Sequence, residues 1–546
     1  MQRWICRSIL LGLMLAAAIP IARHAVATND GPAHVAFAHL LATRQQPDHP
    51  LQQQAYTVSL QPNPNLAVYL LMDALMRVFS PDATESIIQI LCLIGPMAAC
   101  WFAIGMIEPK NIWLAVFVLP LSLNQMFFLG LYNHCLSTAA FFLAISAYFW
   151  MIKAPSAMRA LVVAGCLVLT FLCHASGFIM AFAGIACLSA ASLMLALRGE
   201  KRVAAVLREQ RYALGALLAP LPLAAVFLLS GSGGNTAYGV GPLARLKQFS
   251  SLQLLAVNLP RDAYVATAIS ILLMISIVCA IARIVLNRTS ISRRDEALAV
   301  VVAAAVSVLI MMAFPDSMGG GWTHFRRFEI FPFFWGLLIL AFDSFPLPML
   351  VGMMAAGVSA ALLFVSSMVM RQGQVREQMA PLAQVDRAIG SHCTVLPIVS
   401  EKNLVDAAGN PVAMRYSPYF QSASRLELTG DRVVLFNFLA RLDVYPVRFR
   451  PNVEPQLQIF HWKPRQEQTV IETIDVGGFE KASGMQVDYI LLWGNLDRMP
   501  EGLRQQASQA LESSGGFGAI YQSSDGRVTL YRRSSGGNSA CIDGPA

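Results

Sequence analysis

The sequence predicts a polytopic α-helical membrane protein with a C-terminal α/β domain. Of its 546 residues, 56% are hydrophobic and only 13% are charged, whereas a soluble domain carries about 25% charged residues. The chain therefore has too little charge to cover its apolar surface in water and belongs in a lipid bilayer. The apolar segments end near residue 370, and the rest has the composition of a soluble protein. We predict a transmembrane domain over residues 1–370, an α/β domain over residues 371–535 and a disordered tail over residues 536–546.

The first apolar segment covers residues 8–22 and follows two arginines near the N-terminus. Ala25-Val26-Ala27 has the form of a signal-peptidase site, so the segment is either a cleaved signal peptide or an uncleaved signal anchor. Arg23 and His24, just before that site, favour the anchor, which is then the first transmembrane helix. Both alternatives place Asp30 outside the cytoplasm.

Residues 28–85 are too polar to span a membrane and form the first external segment. Two amphipathic pieces, residues 31–44 and 65–79, are expected to lie along the membrane surface. Ten further apolar segments are predicted to be helices, although several are shorter than the roughly 20 residues needed to span. They cover residues 86–107, 111–123, 134–152, 158–173, 177–197, 212–230, 263–285, 297–314, 328–344 and 348–370. With the first segment they make eleven spans, so the N-terminus is cytoplasmic and the C-terminal domain external.

Basic residues support this orientation. Lys and Arg are more numerous in the predicted cytoplasmic segments than in the predicted external ones before the C-terminal domain, as the positive-inside rule requires. Histidines instead fall at predicted external positions, as residues of an external site would. The alternative is that the short cytoplasmic loops, rich in Lys and Arg, leave few positions for histidine. The histidines at predicted external positions are His24, His34, His39, His49, His134, His174 and His324.

Short segments rich in β-branched and aromatic residues predict strands at residues 393–399, 432–437, 445–449 and 487–493. A helix is predicted over residues 500–513, and a hairpin over residues 518–532 turns at Ser524-Asp525-Gly526. No glycine-rich nucleotide loop follows any strand. Of the ten cysteines, only Cys393 and Cys541 fall in this domain, where they could pair in an oxidising compartment.

The stretch Asn29-Asp30-Gly31-Pro32-Ala33-His34 is the first polar material after the anchor. Asp30 precedes Gly-Pro and an apolar run, which is typical of a helix N-cap, and capping is the structural alternative. Asp30 and His34 are four residues apart and can share one helix face. A carboxylate at this position could take a proton from an attacking hydroxyl. We therefore predict Asp30 and His34 as catalytic residues.

The order of these features resembles the GT-C superfamily of membrane glycosyltransferases, among them protein O-mannosyltransferase-like and lipid A aminoarabinose-transferase-like enzymes. The resemblance covers residues 1–370 and rests on the anchor, the Asp-x-x-x-His loop, about ten further helices and an external C-terminal domain. It also includes the proline-rich stretch Gln61-Pro62-Asn63-Pro64-Asn65-Leu66-Ala67-Val68-Tyr69, which leads into an apolar helix. Many such enzymes have two adjacent acids in the first loop, where this chain has Asn29.

The resemblance implies an inverting transfer of a sugar from a polyprenyl-phosphate donor, with Asp30 as the general base. The acceptor is then an envelope glycan, lipid or protein on the periplasmic face of a bacterial inner membrane. Three alternatives stay open from the residues: a flippase or transporter of a lipid-linked glycan, a non-catalytic assembly subunit, and a polysaccharide polymerase. Asn29 in place of a second acid keeps the non-catalytic alternative open.

The segment Gly319-Gly320-Gly321-Trp322-Thr323-His324-Phe325-Arg326-Arg327 is predicted to bind the donor phosphate. Its glycines allow close backbone approach to a ligand, and arginine forks bind phosphate in a bidentate manner. We predict His324, Arg326 and Arg327 as phosphate ligands. The alternative is that both arginines reach the lipid headgroups, with Glu329 as an ion-pair partner.

Two further sets of residues complete the predicted site. The loop over residues 231–262 carries Arg245 and Lys247, which are expected to help hold phosphate, although an ordinary external loop near anionic lipid is an equal alternative. Four residues at external helix ends are predicted to line the same cavity, with helix capping as the alternative. They are Tyr132, Asn133, His134 and His174.

We predict no cofactor, because the sequence has no dense carboxylate cluster, although a divalent metal ion stays open as an alternative. No nucleic-acid partner is predicted, since much of the net charge of +8 lies in short loops where membrane topology explains it. The predicted partners are the lipid bilayer, the polyprenyl-phosphate-linked sugar and the acceptor.

Overall fold

The computed structural model describes most of the chain. The positions outside the description are residues 1, 199–202, 231–235, 287–293, 319–323, 402, 411, 413, 455–460, 463–468, 471–473, 495, 499–500, 513–515, 535–540 and 542–546. The tail predicted over residues 536–546 lies outside the described residues except for Cys541.

The chain folds into two compact units, each built from more than one stretch of sequence. The first, here the membrane unit, comprises Met1–Val26, Pro62–Val68 and Ser86–Met370. The second, here the sheet unit, comprises Ala27–Gln61, Tyr69–Glu85 and Arg371–Ala546.

Within the described residues, eight helical segments are long and apolar enough to cross a membrane. They are Trp4–Arg23, Pro81–Ile107, Tyr132–Lys153, Ala175–Met194, Gln210–Leu229, Pro260–Val285, Arg294–Ala313 and Leu347–Ala388. The predicted class of polytopic helical membrane protein is confirmed, but eight is fewer than the eleven spans predicted.

Three predicted spans account for the difference. The segment over residues 111–123 forms a 3₁₀ helix, Pro109–Phe117, which continues into one α-helical turn, Val118–Ser122. The segment over 158–173 forms Ala157–Cys173, which has 17 residues. The segment over 328–344 forms the 11-residue helix Phe331–Ala341, whose residues are all buried. A short apolar sequence has the same hydropathy in a buried core helix as in a transmembrane helix, so hydropathy alone cannot distinguish the two kinds of helix.

The remaining helices are shorter, and three of them belong in part to the segments above: Val203–Leu218 and Leu221–Ser230 overlap Gln210–Leu229, and Pro381–Ala388 ends Leu347–Ala388. The α-helices are Gly31–Thr43, Pro50–Ala55, Leu66–Met76, Gln125–Phe128, Val203–Leu218, Leu221–Ser230, Pro242–Ser250, His324–Phe328, Pro381–Ala388, Val476–Ser483 and Glu501–Glu512. The 3₁₀ helices are Gln253–Leu255, Ser422–Leu428, Phe438–Arg441 and Leu496–Arg498.

The sheet unit contains nine described strands. They are β1 (Tyr56–Val58), β2 (Thr394–Val399), β3 (Val433–Val434), β4 (Val447–Phe449), β5 (His461–Trp462), β6 (Thr469–Val470), β7 (Tyr489–Trp493), β8 (Phe517–Gln522) and β9 (Val528–Arg533). Five of them form one mixed sheet in the order β3-β2-β7-β9-β8, in which β2 is parallel to β3 and β7, and β9 is antiparallel to β7 and β8. All four predicted strands, the helix over 500–513 and the hairpin are present.

The central strands are buried on both faces, as is expected for parallel strands covered by helices and loops. Along β2, Leu396 and Ile398 enter one apolar core, whereas Val395 and Val399 enter the other. This alternation follows from the two-residue period of a strand. The sheet therefore separates two cores within this unit.

Helix Gly31–Thr43 belongs to the first of these cores. Its residues Ala33, Phe37, Leu40 and Leu41 pack in the same apolar cluster as β2 and β7. The sequence predicts an amphipathic helix on the membrane surface, but eleven of the thirteen residues are buried. The helix is mostly Ala, Val, Leu and Phe, so it has little polar face to present to a membrane surface.

A buried carboxyl group lies in the same core. Tyr56 donates a hydrogen bond to the Glu427 Oε1 atom, and the Val434 backbone N–H donates to the same oxygen at 2.9 Å. Burial raises the pKa of the Glu427 carboxyl from 4.5 to about 7, and these donors oppose the rise only in part. The folded state thus favours the protonated form of Glu427.

Stability of the sheet unit should therefore fall as pH rises from about 4.5 to about 7. The contribution of protonated Glu427 is fully present below its unfolded pKa and is lost as pH passes its folded pKa. Glu427→Gln, which mimics the protonated group, should unfold at nearly the wild-type temperature at pH 5. At pH 8 it should be more stable than wild type by up to about 3 kcal/mol. Thermal unfolding of both proteins at the two pH values measures this.

The control for this experiment is Glu454→Gln, because Glu454 pairs with Arg441 at the surface. That variant should follow the wild-type pH profile. An unchanged pH profile in Glu427→Gln would show that the carboxyl group does not gain its proton in this range.

Cys393 and Cys541 form a disulfide, with their Cα atoms 4.8 Å apart and a separation of 148 positions in sequence. The bond ties the end of the chain to the beginning of β2. The other eight cysteines are unpaired. The pairing that the sequence left open is thus present in the structure.

Thiol counting tests this disulfide. Denatured, unreduced wild type should react with a maleimide reagent at eight cysteines, and reduced protein at all ten. Cys541→Ser should react at nine without reduction and should lose about 2–4 kcal/mol of stability, because the open chain gains conformational entropy when it unfolds. Ten reactive thiols in unreduced wild type would contradict the bond.

Candidate functional site

The carboxylate of Asp30 lies at the start of helix Gly31–Thr43 in the sheet unit. Asp30 occupies the N-cap position, but its side chain accepts no capping hydrogen bond. Thr28 Oγ1 instead accepts from the Gly31 backbone N–H at 3.1 Å. Asn29 Nδ2 donates to Asp30 Oδ1 at 2.5 Å, so a neutral amide holds the carboxylate. The structural alternative of N-capping does not explain the Asp30 side chain.

His34 faces an aromatic cluster one turn further along this helix. Its Nδ1 atom is hydrogen-bonded to the hydroxyl group of Tyr69, and both side chains are buried. Tyr445 completes the cluster, with its ring centroid 6.1 Å from that of His34 and 6.2 Å from that of Tyr69. Burial raises the pKa of Tyr69 well above its usual range, and the nearby Tyr445 and Asp30 add to the rise. Asp30 and His34 thus both lie close to a neutral Tyr69.

Sequence reasoning did not select Tyr69 or Tyr445 as site residues. Tyr69 ends the proline-rich stretch on which the GT-C resemblance partly rests, so the signal for it lies in that stretch. Tyr445 begins a predicted strand, where an aromatic residue is ordinary. Nothing local distinguishes it.

The membrane unit holds a second polar cluster around two adjacent arginines. Arg326 donates a hydrogen bond through Nη1 to the Gln125 side-chain oxygen. Among the residues that the structure describes, no carboxylate forms an ion pair with Arg326, which is half-buried. Arg327 Nη1 lies 2.9 Å from His174 Nε2. The contacts that orient both guanidinium groups therefore include neutral acceptors.

His174 connects this pair to His134. Ser176 Oγ lies 2.8 Å from His174 Nδ1 and 3.0 Å from His134 Nδ1. The two imidazole rings are nearly perpendicular, with centroids 5.3 Å apart. His134 also borders a small cavity in the membrane unit. The other residues that line the cavity are Cys92, Ser122, Asn124, Cys135, Thr138 and Phe334.

Tyr132 and Asn133, predicted to line the cavity, have structural contacts. The Tyr132 hydroxyl accepts a hydrogen bond from Gln89 Nε2 at 2.8 Å, and Asn133 Oδ1 accepts from the Val68 backbone N–H at 3.3 Å. Both side chains are buried. Their predicted role toward a ligand stays a prediction.

Arg245 differs from the other predicted phosphate ligands because protein oxygens surround its guanidinium group. It donates at 3.0 Å to the backbone carbonyls of Val240 and Met312, and its Nη2 atom lies 3.1 Å from Asp316 Oδ2. The side chain is 2% exposed. These contacts favour a structural role in holding the segment around Asp316 and oppose direct contact with phosphate.

Lys247 lies two residues further along helix Pro242–Ser250 and is exposed. His324 begins helix His324–Phe328, and its Nε2 atom lies 3.1 Å from the Met318 carbonyl oxygen. The glycines at 319–321 and the residues at 231–235 lie outside the described residues. Phosphate contacts by Lys247 and His324 stay predictions.

One group of potential metal ligands occurs among the described residues. It consists of Cys393, Asp488 and Cys541. The two thiols are joined in the disulfide, so they are not free to bind an ion. The absence of a cofactor stays a prediction.

The fold thus combines a unit of long apolar helices with a unit in which helix Gly31–Thr43 packs against a five-stranded mixed sheet of C-terminal residues. Two solved structures share it over nearly their whole length. One is ArnT from Cupriavidus metallidurans bound to undecaprenyl phosphate, with a TM-score of 0.56 and 9% sequence identity over 100% of this chain and 99% of ArnT. The other is apo ArnT from the same organism, with a TM-score of 0.51 and 10% identity over the same shares.

No protein-family model matches the sequence. No curated protein sequence matches it either. The similarity to ArnT is therefore one of fold, and the resemblance to GT-C enzymes that the sequence suggested is confirmed at that level.

Proposed function

We propose that this chain is a membrane glycosyltransferase that moves a sugar from a polyprenyl-phosphate donor to an envelope glycan, lipid or protein. The observation that carries the proposal is the match of the full chain to a GT-C structure that holds undecaprenyl phosphate. Function cannot be read from fold alone, so the side chains of the two polar clusters must supply the chemistry.

Arg326 is the best candidate for a ligand of the donor phosphate. A guanidinium group that is half-buried and has no ion pair among the described residues keeps its full positive charge available for an anion. Gln125 holds its orientation without neutralising it. Arg327 is the next residue and contributes a second fork. Two such forks would stabilise the negative charge that develops on the lipid phosphate as it leaves.

Asp30 is the proposed general base. The acceptor hydroxyl oxygen forms a bond to the anomeric carbon while the bond from that carbon to the phosphate oxygen breaks. The bonding electron pair leaves with the lipid phosphate, and the hydroxyl proton passes to the Asp30 carboxylate. Attack opposite the leaving phosphate inverts the configuration. Asn29 supports this role, because its amide donates to one carboxylate oxygen and favours the ionised form.

The disulfide supports a location for the sheet unit on the oxidising side of the membrane. Disulfides persist in the periplasm and outside the cell and are rare in the cytosol. Cys393 and Cys541 lie in the same unit as Asp30. This agrees with the orientation that the positive-inside rule predicts, in which a bacterial inner-membrane protein presents its C-terminal domain to the periplasm.

Asp30→Asn should abolish transfer of labelled sugar from native lipid extract, with a loss of at least about a hundredfold, because the amide cannot accept the proton. Binding of undecaprenyl phosphate and the unfolding temperature should stay near the wild-type values.

Asp73→Asn is the matched control, since Asp73 pairs with Arg77 four residues away on the same external segment. Equal transfer by Asp30→Asn and wild type would remove Asp30 from the mechanism. No transfer by wild type with any acceptor fraction would favour the flippase, polymerase or non-catalytic alternatives.

Arg326→Gln should lower the affinity for the lipid phosphate, whereas Arg245→Gln should lower the stability of the protein. Arg326→Gln should weaken the binding of undecaprenyl phosphate about tenfold or more at little cost in stability, since it removes charge-assisted hydrogen bonds to the ligand. Arg245→Gln should instead lower stability by about 3 kcal/mol, because it removes the ion pair with Asp316 and the hydrogen bonds to three backbone carbonyls. Unfolding temperature and lipid affinity of each purified variant measure this. Loss of stability without loss of affinity in Arg326→Gln would reverse the two roles.

A further inference from the structure

Four buried or half-buried side chains in the membrane unit form one continuous chain of hydrogen bonds. Arg327 Nη1 lies 2.9 Å from His174 Nε2, and His174 Nδ1 lies 2.8 Å from Ser176 Oγ. Ser176 Oγ lies 3.0 Å from His134 Nδ1. These contacts thus connect the charged guanidinium of Arg327 to the imidazole of His134, which borders the small cavity.

Donor and acceptor chemistry gives this chain a single direction. A guanidinium has only donors, so His174 must accept at Nε2 and carry its proton on Nδ1. That N–H then donates to Ser176 Oγ, and the Ser176 hydroxyl donates its own proton to His134 Nδ1. The Ser176 backbone N–H also lies 3.1 Å from His174 Nδ1, and in this tautomer it forms no hydrogen bond there, because a protonated ring nitrogen has no lone pair to accept it. Each imidazole is neutral and has one defined tautomer.

Close packing of two helices makes the chain possible. A Cβ atom at Gly177 would lie 2.5 Å from Ser137 Oγ on helix Tyr132–Lys153. Glycine therefore lets the first turn of the neighbouring helix approach His134 closely enough for Ser176 to bridge both rings. His134, His174 and Ser176 are all buried.

We propose that His174, Ser176 and His134 form a positioning relay for Arg327. The relay fixes the plane of the Arg327 guanidinium before the donor lipid binds, so that little side-chain entropy is lost when its fork meets the phosphate. Ser176 and His134 act through His174 and do not touch the lipid. This inference rests on the proposed function, because it assigns the relay to the phosphate end of the donor.

A positioning role predicts that the effect of a substitution depends on which ring nitrogen it preserves. Asparagine places a polar atom near the Nδ1 position of histidine, and glutamine places one near the Nε2 position. His174→Gln therefore keeps an acceptor for Arg327, whereas His174→Asn loses it. At His134 the order reverses, because His134→Asn keeps the acceptor for Ser176 and His134→Gln does not.

Binding of undecaprenyl phosphate to the purified full-length chain in nanodiscs is the measurement. His174→Asn should bind about tenfold more weakly than wild type, since it loses a hydrogen bond to a charged group, and His174→Gln should stay within about threefold. His134→Gln and Ser176→Ala should each bind several-fold more weakly, and His134→Asn should resemble wild type. In transfer assays the losses should appear mainly in KM for the donor. Ser137→Ala is the matched control, because the Ser137 hydroxyl donates to the His134 backbone carbonyl oxygen and, within the described part of the chain, not to a ring nitrogen.

Equal losses for the Asn and Gln variants at both positions, in step with their unfolding temperatures, would overturn the relay and leave a structural role. Wild-type affinity in His174→Asn would overturn it as well. Failure of the wild-type chain itself to bind undecaprenyl phosphate would overturn the proposed function and, with it, this inference. Binding by wild type with no rank order among the variants would overturn the relay alone.

Discussion

The burial of helix Gly31–Thr43 in the core of the sheet unit determines where the candidate base lies. Its apolar residues pack in one cluster with residues of β2 and β7, which are more than 350 positions away in sequence. Such burial is worth about 1.5–3 kcal/mol for each large side chain, so the helix can neither slide nor rotate without exposing Phe37, Leu40 and Leu41. Because Asp30 immediately precedes the helix and His34 lies within its first turn, both are held by the same packing. A helix that lies on a membrane surface would not fix the positions of these two side chains in this way.

The arginines show how the same side chain serves two purposes in one membrane unit. Arg245 has its charge matched by Asp316 and its donors used by backbone carbonyls, which makes it a buried structural cation. Arg326 is oriented by the neutral acceptor Gln125, and no described carboxylate pairs with it. A neutral acceptor fixes geometry and leaves the positive charge in place, which suits a site that must attract a phosphate. Sequence alone cannot distinguish these cases, because the same criteria assign Arg245, Arg326 and Arg327 to predicted external loops.

Local patterns account for the parts of the structure that the sequence predicts well. β-branched runs identify β2 and β7, and the Ser524-Asp525-Gly526 turn identifies the β8–β9 hairpin, because each signal lies within a few neighbouring residues. Three of the eleven predicted spans form helices shorter than the eight candidate membrane helices, as in Phe331–Ala341, because a short apolar run does not show whether it lies in protein or in lipid. The contacts that build the candidate site are non-local. Arg326 and Gln125 are 201 residues apart, and Arg327 and His174 are 153 residues apart.

Asn29 illustrates how a departure from a family pattern can be interpreted through its contacts. Two adjacent acids repel each other, and such repulsion raises the pKa of one of them. An amide that donates a hydrogen bond has the opposite effect, since it stabilises the ionised form of its partner. The Asn29 amide donates to Asp30 Oδ1, so this contact stabilises the ionised form of the carboxyl group. A general base needs that form, so the loss of a second acid is compatible with catalysis when an amide donor takes its place.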